Sequence, residues 1–95
     1  MDEKDRRKSL EGAISCKCNL ELEEEILKGE IEEIEYMIRK YREEMKEDLS
    51  EEDRESLKEL IEEKEEELEE LKDELEKVQN NIEDMETEIR NLEDM

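Results

Sequence analysis

Apolar side chains recur along the second half of the chain at alternating intervals of four and three. Leu57, Ile61, Leu68, Leu71, Leu75, Val78, Ile82, Met85, Ile89 and Leu92 keep this rhythm, with Lys64 at its one polar step. Such spacing holds side chains on one stripe of a helix and is the heptad seam of a coiled coil. The first half has a seam of its own through Leu27, Ile31, Ile34, Ile38, Tyr41 and Met45. Extended upstream, it passes Glu24, Leu20, Lys17, Ala13 and Leu10.

The two seams are out of phase. Stepping by sevens from Met45 reaches Glu52 and Glu59, two residues short of Ile61. A heptad discontinuity tolerated within one helix inserts three or four residues, so a turn explains the break better than a continuous helix. Folding the chain so that Met45 meets Leu57 then aligns both seams antiparallel. Tyr41 meets Ile61, Ile34 meets Leu68, Leu27 meets Leu75, Leu20 meets Ile82 and Ala13 meets Ile89. Only Lys17, Glu24 and Lys64 are polar at seam positions. They read either as register devices or as side chains that carry their charge out to solvent.

The expected fold is all-α: a long antiparallel two-helix coiled-coil hairpin, one domain over residues 1–95. Its arms run from about 5 to 48 and from about 51 to 94, with the turn near 49–50 and a soft stretch at "SCKCN" (15–19). Ser50 is a favoured N-cap, and Glu51, Glu52 and Asp53 follow it where the helix dipole favours anions. Register places like charges opposite each other at the flanks, Arg42 with Lys58 and Glu35 with Glu65. Diagonal neighbours are better matched, and exposed pairs are each worth under about 1 kcal/mol. A buried Leu or Ile contributes roughly 1.5–3 kcal/mol, so the seam is expected to dominate.

A two-helix ribbon leaves its seam half open. Ile26, Met37 and Leu60 extend the apolar surface along one edge. Either two hairpins pair as a homodimer, a four-helix bundle, or a partner protein covers that edge. The plainer reading is three scattered surface residues.

Composition narrows the chemistry. The chain has 37 acidic and 16 basic residues in 95, a formal net charge of −21, with no His, Pro, Trp or Phe. Without Pro, nothing breaks a helix interior. No apolar run approaches a bilayer's thickness, so a soluble, cytoplasmic protein is expected. Without His, and with no pocket to shift a carboxyl pKa, no catalysis and no cofactor are expected. Cys16 and Cys18 point to nearly opposite sides of a helix and do not complete a zinc site. Reduced thiols are the plain reading, and an intermolecular disulfide or a metal shared in a dimer the alternatives.

Three functional readings remain. The first is a non-enzymatic protein–protein interaction module, an acidic coiled-coil scaffold or adaptor. The second is a nucleic-acid mimic. At about 1.5 Å per residue each arm is about 65 Å long, so 37 carboxylates come at one per about 1.8 Å, against one phosphate per about 1.7 Å of duplex DNA. Such a rod repels nucleic acid and attracts the basic surface of a nucleic-acid-binding protein, as small acidic phage inhibitors of host nucleases do. The third concerns "DLSEE", Asp48 to Glu52. It resembles the acidic tip of Gre-type transcript-cleavage factors, which helps hold a metal in the polymerase channel. The resemblance implies that Asp48 and Glu51 are the acidic pair, with Glu52 beside them. Glu47 stands where that pattern has Gly, Glu52 replaces its Asn, and the likeness covers about five residues.

Overall fold

The computed structural model describes residues 2–94. They form two long helices, α1 (Glu3–Glu44) and α2 (Glu51–Glu93), joined by a connector at 45–50. The chain is an all-α helical hairpin, as the phase break between the seams requires. Helices this polar are not stable through propensity alone. Most helical stability in proteins comes from packing an apolar face.

Both helix starts are capped. Asp2 Oδ1 accepts a 3.0 Å hydrogen bond from the Asp5 backbone N–H, which moves the first helix's start to Glu3, ahead of the residue 5 expected. Ser50 Oγ accepts from Asp53 N–H at 3.3 Å, and the Ser50 carbonyl accepts from Arg54 N–H at 3.0 Å. These satisfy N–H groups that the helix itself leaves without partners.

The first helix ends earlier than residue 48. Met45 N–H still bonds back to the Tyr41 carbonyl in the helical i→i−4 pattern. Lys46 and Glu47 N–H then bond three residues back, to the Glu43 and Glu44 carbonyls, at 3.1 Å each. That tightening ends the helix, and the turn covers six residues rather than two. α1 has no break at 15–19.

The chain divides into two compact units. The tip unit is Leu27–Glu74: the last part of α1, the connector and the first part of α2. Its buried residues are Leu27, Ile31, Ile38 and Ile61. Ile34, Tyr41, Met45, Leu57, Lys64, Leu68 and Leu71 are half-buried around them. The terminal unit combines the α1 segment up to Ile26 with the α2 segment from Leu75. There Ala13, Val78, Ile82 and Leu92 are buried. Leu10, Lys17, Leu20, Glu24, Leu75, Met85 and Ile89 are half-buried. Arg6 Nη1 donates to the Leu92 carbonyl at 3.2 Å, which ties the start of α1 to the end of α2.

In both units the residues shielded from water are those of the two seams. Among the described residues beyond the seams, only Arg6, Met37, Leu49 and Glu67 are half-buried. No helix of the described residues is long and apolar enough to cross a membrane.

Candidate functional site

With the apolar rhythm turned inward, the residues left outside decide what the protein can touch. The two helices present different outsides. α1 carries 13 acidic and 9 basic residues, whereas α2 carries 20 and 6. The helices have nearly equal length, so α2 holds most of the excess negative charge.

That charge is concentrated on the outer side of α2 within the tip unit. Glu52, Glu55, Glu59, Glu62, Glu63, Glu66, Glu69, Glu70 and Asp73 all lie on the side away from the seam, and all are exposed. Ser56 is the only uncharged residue among them. The basic residues of the same stretch, Arg54, Lys58, Lys64 and Lys72, sit on or beside the seam. At about 1.5 Å rise per residue, this gives a carboxylate-rich face about 30 Å long.

Exposed apolar side chains follow the opposite bias. Ile14, Leu22, Ile26 and Tyr36 of α1 are exposed, Leu22 and Ile26 at 61 and 62%, while α2 contributes Leu60 alone. Ile14, Cys18, Leu22 and Ile26 follow one another at intervals of four and belong to one unit. Neighbours four apart touch on a helix surface, so the four make a stripe that starts beside the seam at Ile14 and winds onto α1's outer side. Cys18 and Leu22 line a shallow groove there with Glu21, Glu24 and Glu25.

The edge expected from Ile26, Met37 and Leu60 is distributed differently. Met37 is half-buried and Leu60 exposed, both in the tip unit, while Ile26 falls in the terminal unit on the outer side of α1. Ile14 and Leu22 were not singled out by the seam. Their signal is the interval of four through Cys18, and for Ile14 also a local lack of charge: Lys17 is the only charged residue from Gly12 to Leu20.

The polar seam residues reach carboxylates at the rim. Lys17 Nζ lies 3.6 Å from Glu86 Oε1. Lys64 Nζ donates to Glu67 Oε2 at 3.2 Å, one turn along the same helix. This hydrogen bond and the Glu67 charge raise the Lys64 pKa above its ordinary value. Both lysines therefore bury their stems and keep their ends at the surface.

At the tip, Asp48 is exposed in the connector, and Glu51 and Glu52 are exposed in the first turn of α2. Among the described residues no cluster of three or more His, Cys, Asp or Glu has metal-binding geometry. Cys16 and Cys18 are both exposed free thiols.

A scan of protein-family models returned no match, and neither a curated protein nor a solved structure matches the chain.

Proposed function

We propose that this protein is a non-enzymatic protein–protein interaction module, an adaptor whose two outer sides engage different partners. The observation that carries this reading is the division of the surface: exposed Ile14, Leu22, Ile26 and Tyr36 on α1, and a row of nine carboxylates on α2, interrupted only at Ser56. Side chains of the first kind lose unfavourable contact with water when a partner covers them. Carboxylates of the second kind steer a basic surface into place and set its orientation.

The row on α2 favours a second, narrower reading, in which that partner is the basic groove of a nucleic-acid-binding protein. Nine carboxylates over Glu52–Asp73 give one per about 3.5 Å at a helical rise of about 1.5 Å per residue. One DNA strand places a phosphate about every 3.4 Å of axis. The chain would then compete with nucleic acid for the groove.

The test uses the chain and a variant with Glu59, Glu62, Glu66 and Glu69 all changed to Gln, both as bait in the same extract. Partners held by the carboxylate row are captured by the parent alone, elute between about 0.1 and 0.5 M salt because exposed charges are screened, and are displaced by added duplex DNA. Partners captured equally by both baits and kept at high salt would remove the role of the α2 face. They would leave the apolar side as the working surface.

A further inference from the structure

We infer that the groove on α1 between Cys18 and Leu22 on one side and Glu21 and Glu25 on the other docks an amphipathic helix of another protein, one that carries lysine or arginine along a border of its apolar stripe. This rests on reading α1's outer side as a protein-binding face, and it names the chemistry of the partner.

The first argument is shape. Side chains four apart on a helix form ridges, and a second helix packs by laying a ridge of its own into the groove between two of them. Cys18, Leu22 and Ile26 make one such ridge, and Glu21 and Glu25 make the next. Cys18, Leu22, Glu21 and Glu25 line the groove between them, with Glu24 toward the seam. All of these except Glu24 are exposed, and all belong to one compact unit. Counted from Ile14 to Ile26, the apolar ridge is about 18 Å long at a rise of about 1.5 Å per residue. That is enough for about three turns of a helix that offers apolar anchors at one-turn spacing, the usual mode of helix-in-groove recognition.

The second argument is charge. Glu21 and Glu25 hold no ion pair among the described residues. They stand four apart, where like charges on a helix surface repel. Lys17 is the only basic residue from Gly12 to Ile26, and its amine is turned to Glu86. A cation on the partner, set over this pair while apolar side chains cover Leu22, relieves the repulsion that a neutral or acidic partner would leave. The same charges count against other occupants. An antiparallel second copy crossing at Cys18 would bring its Glu11 toward Glu25, and an anionic lipid surface would meet Glu21 and Glu25.

The third argument is the change of sign along this side of α1. Lys4, Arg7 and Lys8 occupy it toward the start of the helix, where Arg7 makes a loose 3.9 Å contact with Glu3. The partner's cations therefore belong at the end of its stripe that lies over Glu21 and Glu25, and not at the end toward Lys8. That gradient fixes the direction in which the helix lies. A stable interface between folded proteins buries about 1,200–2,000 Å² in total. A groove this short is matched instead to a single helical segment, held weakly and reversibly.

The probe is a synthetic leucine–lysine helix of about fourteen residues, about 21 Å long, stapled on its polar side to hold it helical and labelled for fluorescence anisotropy. A peptide of the same composition without the stripe reports plain attraction to a polyanion. A leucine–glutamine helix with the same stripe reports apolar contact alone. At about 0.15 M salt the full chain is expected to bind the leucine–lysine helix at least about tenfold more tightly than either control. Leu22→Ser with Ile26→Ser should remove that preference. Glu21→Gln with Glu25→Gln should reduce binding to the leucine–glutamine level. The variant with Glu59, Glu62, Glu66 and Glu69 changed to Gln should keep the preference. All these residues are exposed, so helicity by circular dichroism should not change. Equally tight binding of the leucine–glutamine helix, lost in the Leu22 variant, would overturn the basic partner while the protein-binding reading of this face survived. If no peptide's binding depends on Leu22, that reading falls with it. If the preference is missing and the Leu22 variant instead loses dimer in sedimentation, or loses binding to phosphatidylcholine vesicles, the occupant is a second copy or a lipid surface and the docked helix is overturned.

Discussion

Arg42 Nη2 donates to Glu65 Oε1 across the tip unit, a diagonal contact to a residue seven positions along α2 from Lys58, which seam pairing sets opposite Arg42. Both side chains remain largely open to water. The contact shows how the hairpin tolerates like charges at facing positions. Long side chains reach along the neighbouring helix, past the facing position, and find the opposite sign. In an exposed setting such a pair is worth about 0.2–1 kcal/mol. A double-mutant cycle of Arg42→Ala and Glu65→Ala, read by urea unfolding, should return a coupling in that range. Exchanging the two charges, Arg42→Glu with Glu65→Arg, should recover most of what Arg42→Glu alone loses. A coupling above about 2 kcal/mol would mean that charge rather than the seam sets the tip unit's alignment.

Stability should instead follow the seam. Ile61 is 8% exposed and Leu60, its immediate neighbour, 39%. Truncating a buried Ile or Leu to Ala typically costs about 2–5 kcal/mol, whereas surface changes usually stay within about 0.5 kcal/mol. Ile61→Ala should therefore lower the urea midpoint strongly and Leu60→Ala hardly at all. The same contrast is expected of Ile38→Ala against Tyr36→Ala on α1.

The seam lysines should behave as interruptions with a small electrostatic return. Replacing Lys64 by Leu completes the apolar row and should stabilise the hairpin, by roughly 1 kcal/mol if one additional CH₂-sized group is buried. The lost contact with Glu67 offsets part of this. Its pH window follows from the raised pKa of Lys64. Protonated Lys64 is favoured in the folded chain, so its contribution is complete below the ordinary lysine value of 10.5 and is lost as pH rises through the higher folded value. The stability difference between the parent and Lys64→Leu should therefore be flat from neutral pH upward and widen, in favour of the variant, only in that alkaline range.

The hairpin was legible in the sequence because one decision, a two-residue slip in phase between Met45 and Leu57, fixes both the turn and the antiparallel direction. The seam positions alone also account for nearly all the shielded side chains. Helix ends were less legible, since α1 ends at Glu44 through two i→i−3 hydrogen bonds that leave no residue signature. Ser50 was readable as a cap because its hydroxyl has a local partner. Asp2 was not, since charged residues crowd the start of the chain. The outer faces were largely hidden. Ile14 and Leu22 share a stripe of four-residue steps that drifts by about 40° per step, so a search tuned to alternating threes and fours passes over it. The contrast between α1 and α2 disappears when charge is counted over the whole chain.

Ser50 and the tip acids should separate cleanly. Ser50→Ala removes the acceptor for Asp53 N–H and should cost about 0.5–2 kcal/mol. Asp48→Ala removes an exposed connector carboxylate and should change stability little. The double change Asp48→Ala with Glu51→Ala should preserve helicity by circular dichroism. If it also leaves partner capture unchanged, the tip is a hinge. If it abolishes capture while the α2 row is intact, binding is directed by the tip, contrary to the face proposed above.

Net charge makes the last prediction, and salt reports it. Charges of −21 on a chain of 95 residues repel one another most when the helices are held together. The ion pairs of Arg7 with Glu3 and Arg42 with Glu65 are exposed, and those of Lys17 and Lys64 lie at the rim of the seam, so they return little. Raising ionic strength from about 0.01 to 0.15 M shortens the Debye length from about 30 to about 8 Å, which screens repulsion between carboxylates more than a turn apart. The thermal midpoint should therefore rise with salt. The rise should be smaller in the variant with Glu59, Glu62, Glu66 and Glu69 changed to Gln, which removes charge from the densest part of the α2 row. That variant should also be more stable than the parent at low salt and closest to it at high salt. A midpoint that falls with salt in the parent would show that attractive pairs outweigh the repulsion, and that the carboxylate row stabilises the fold instead of being carried at its expense.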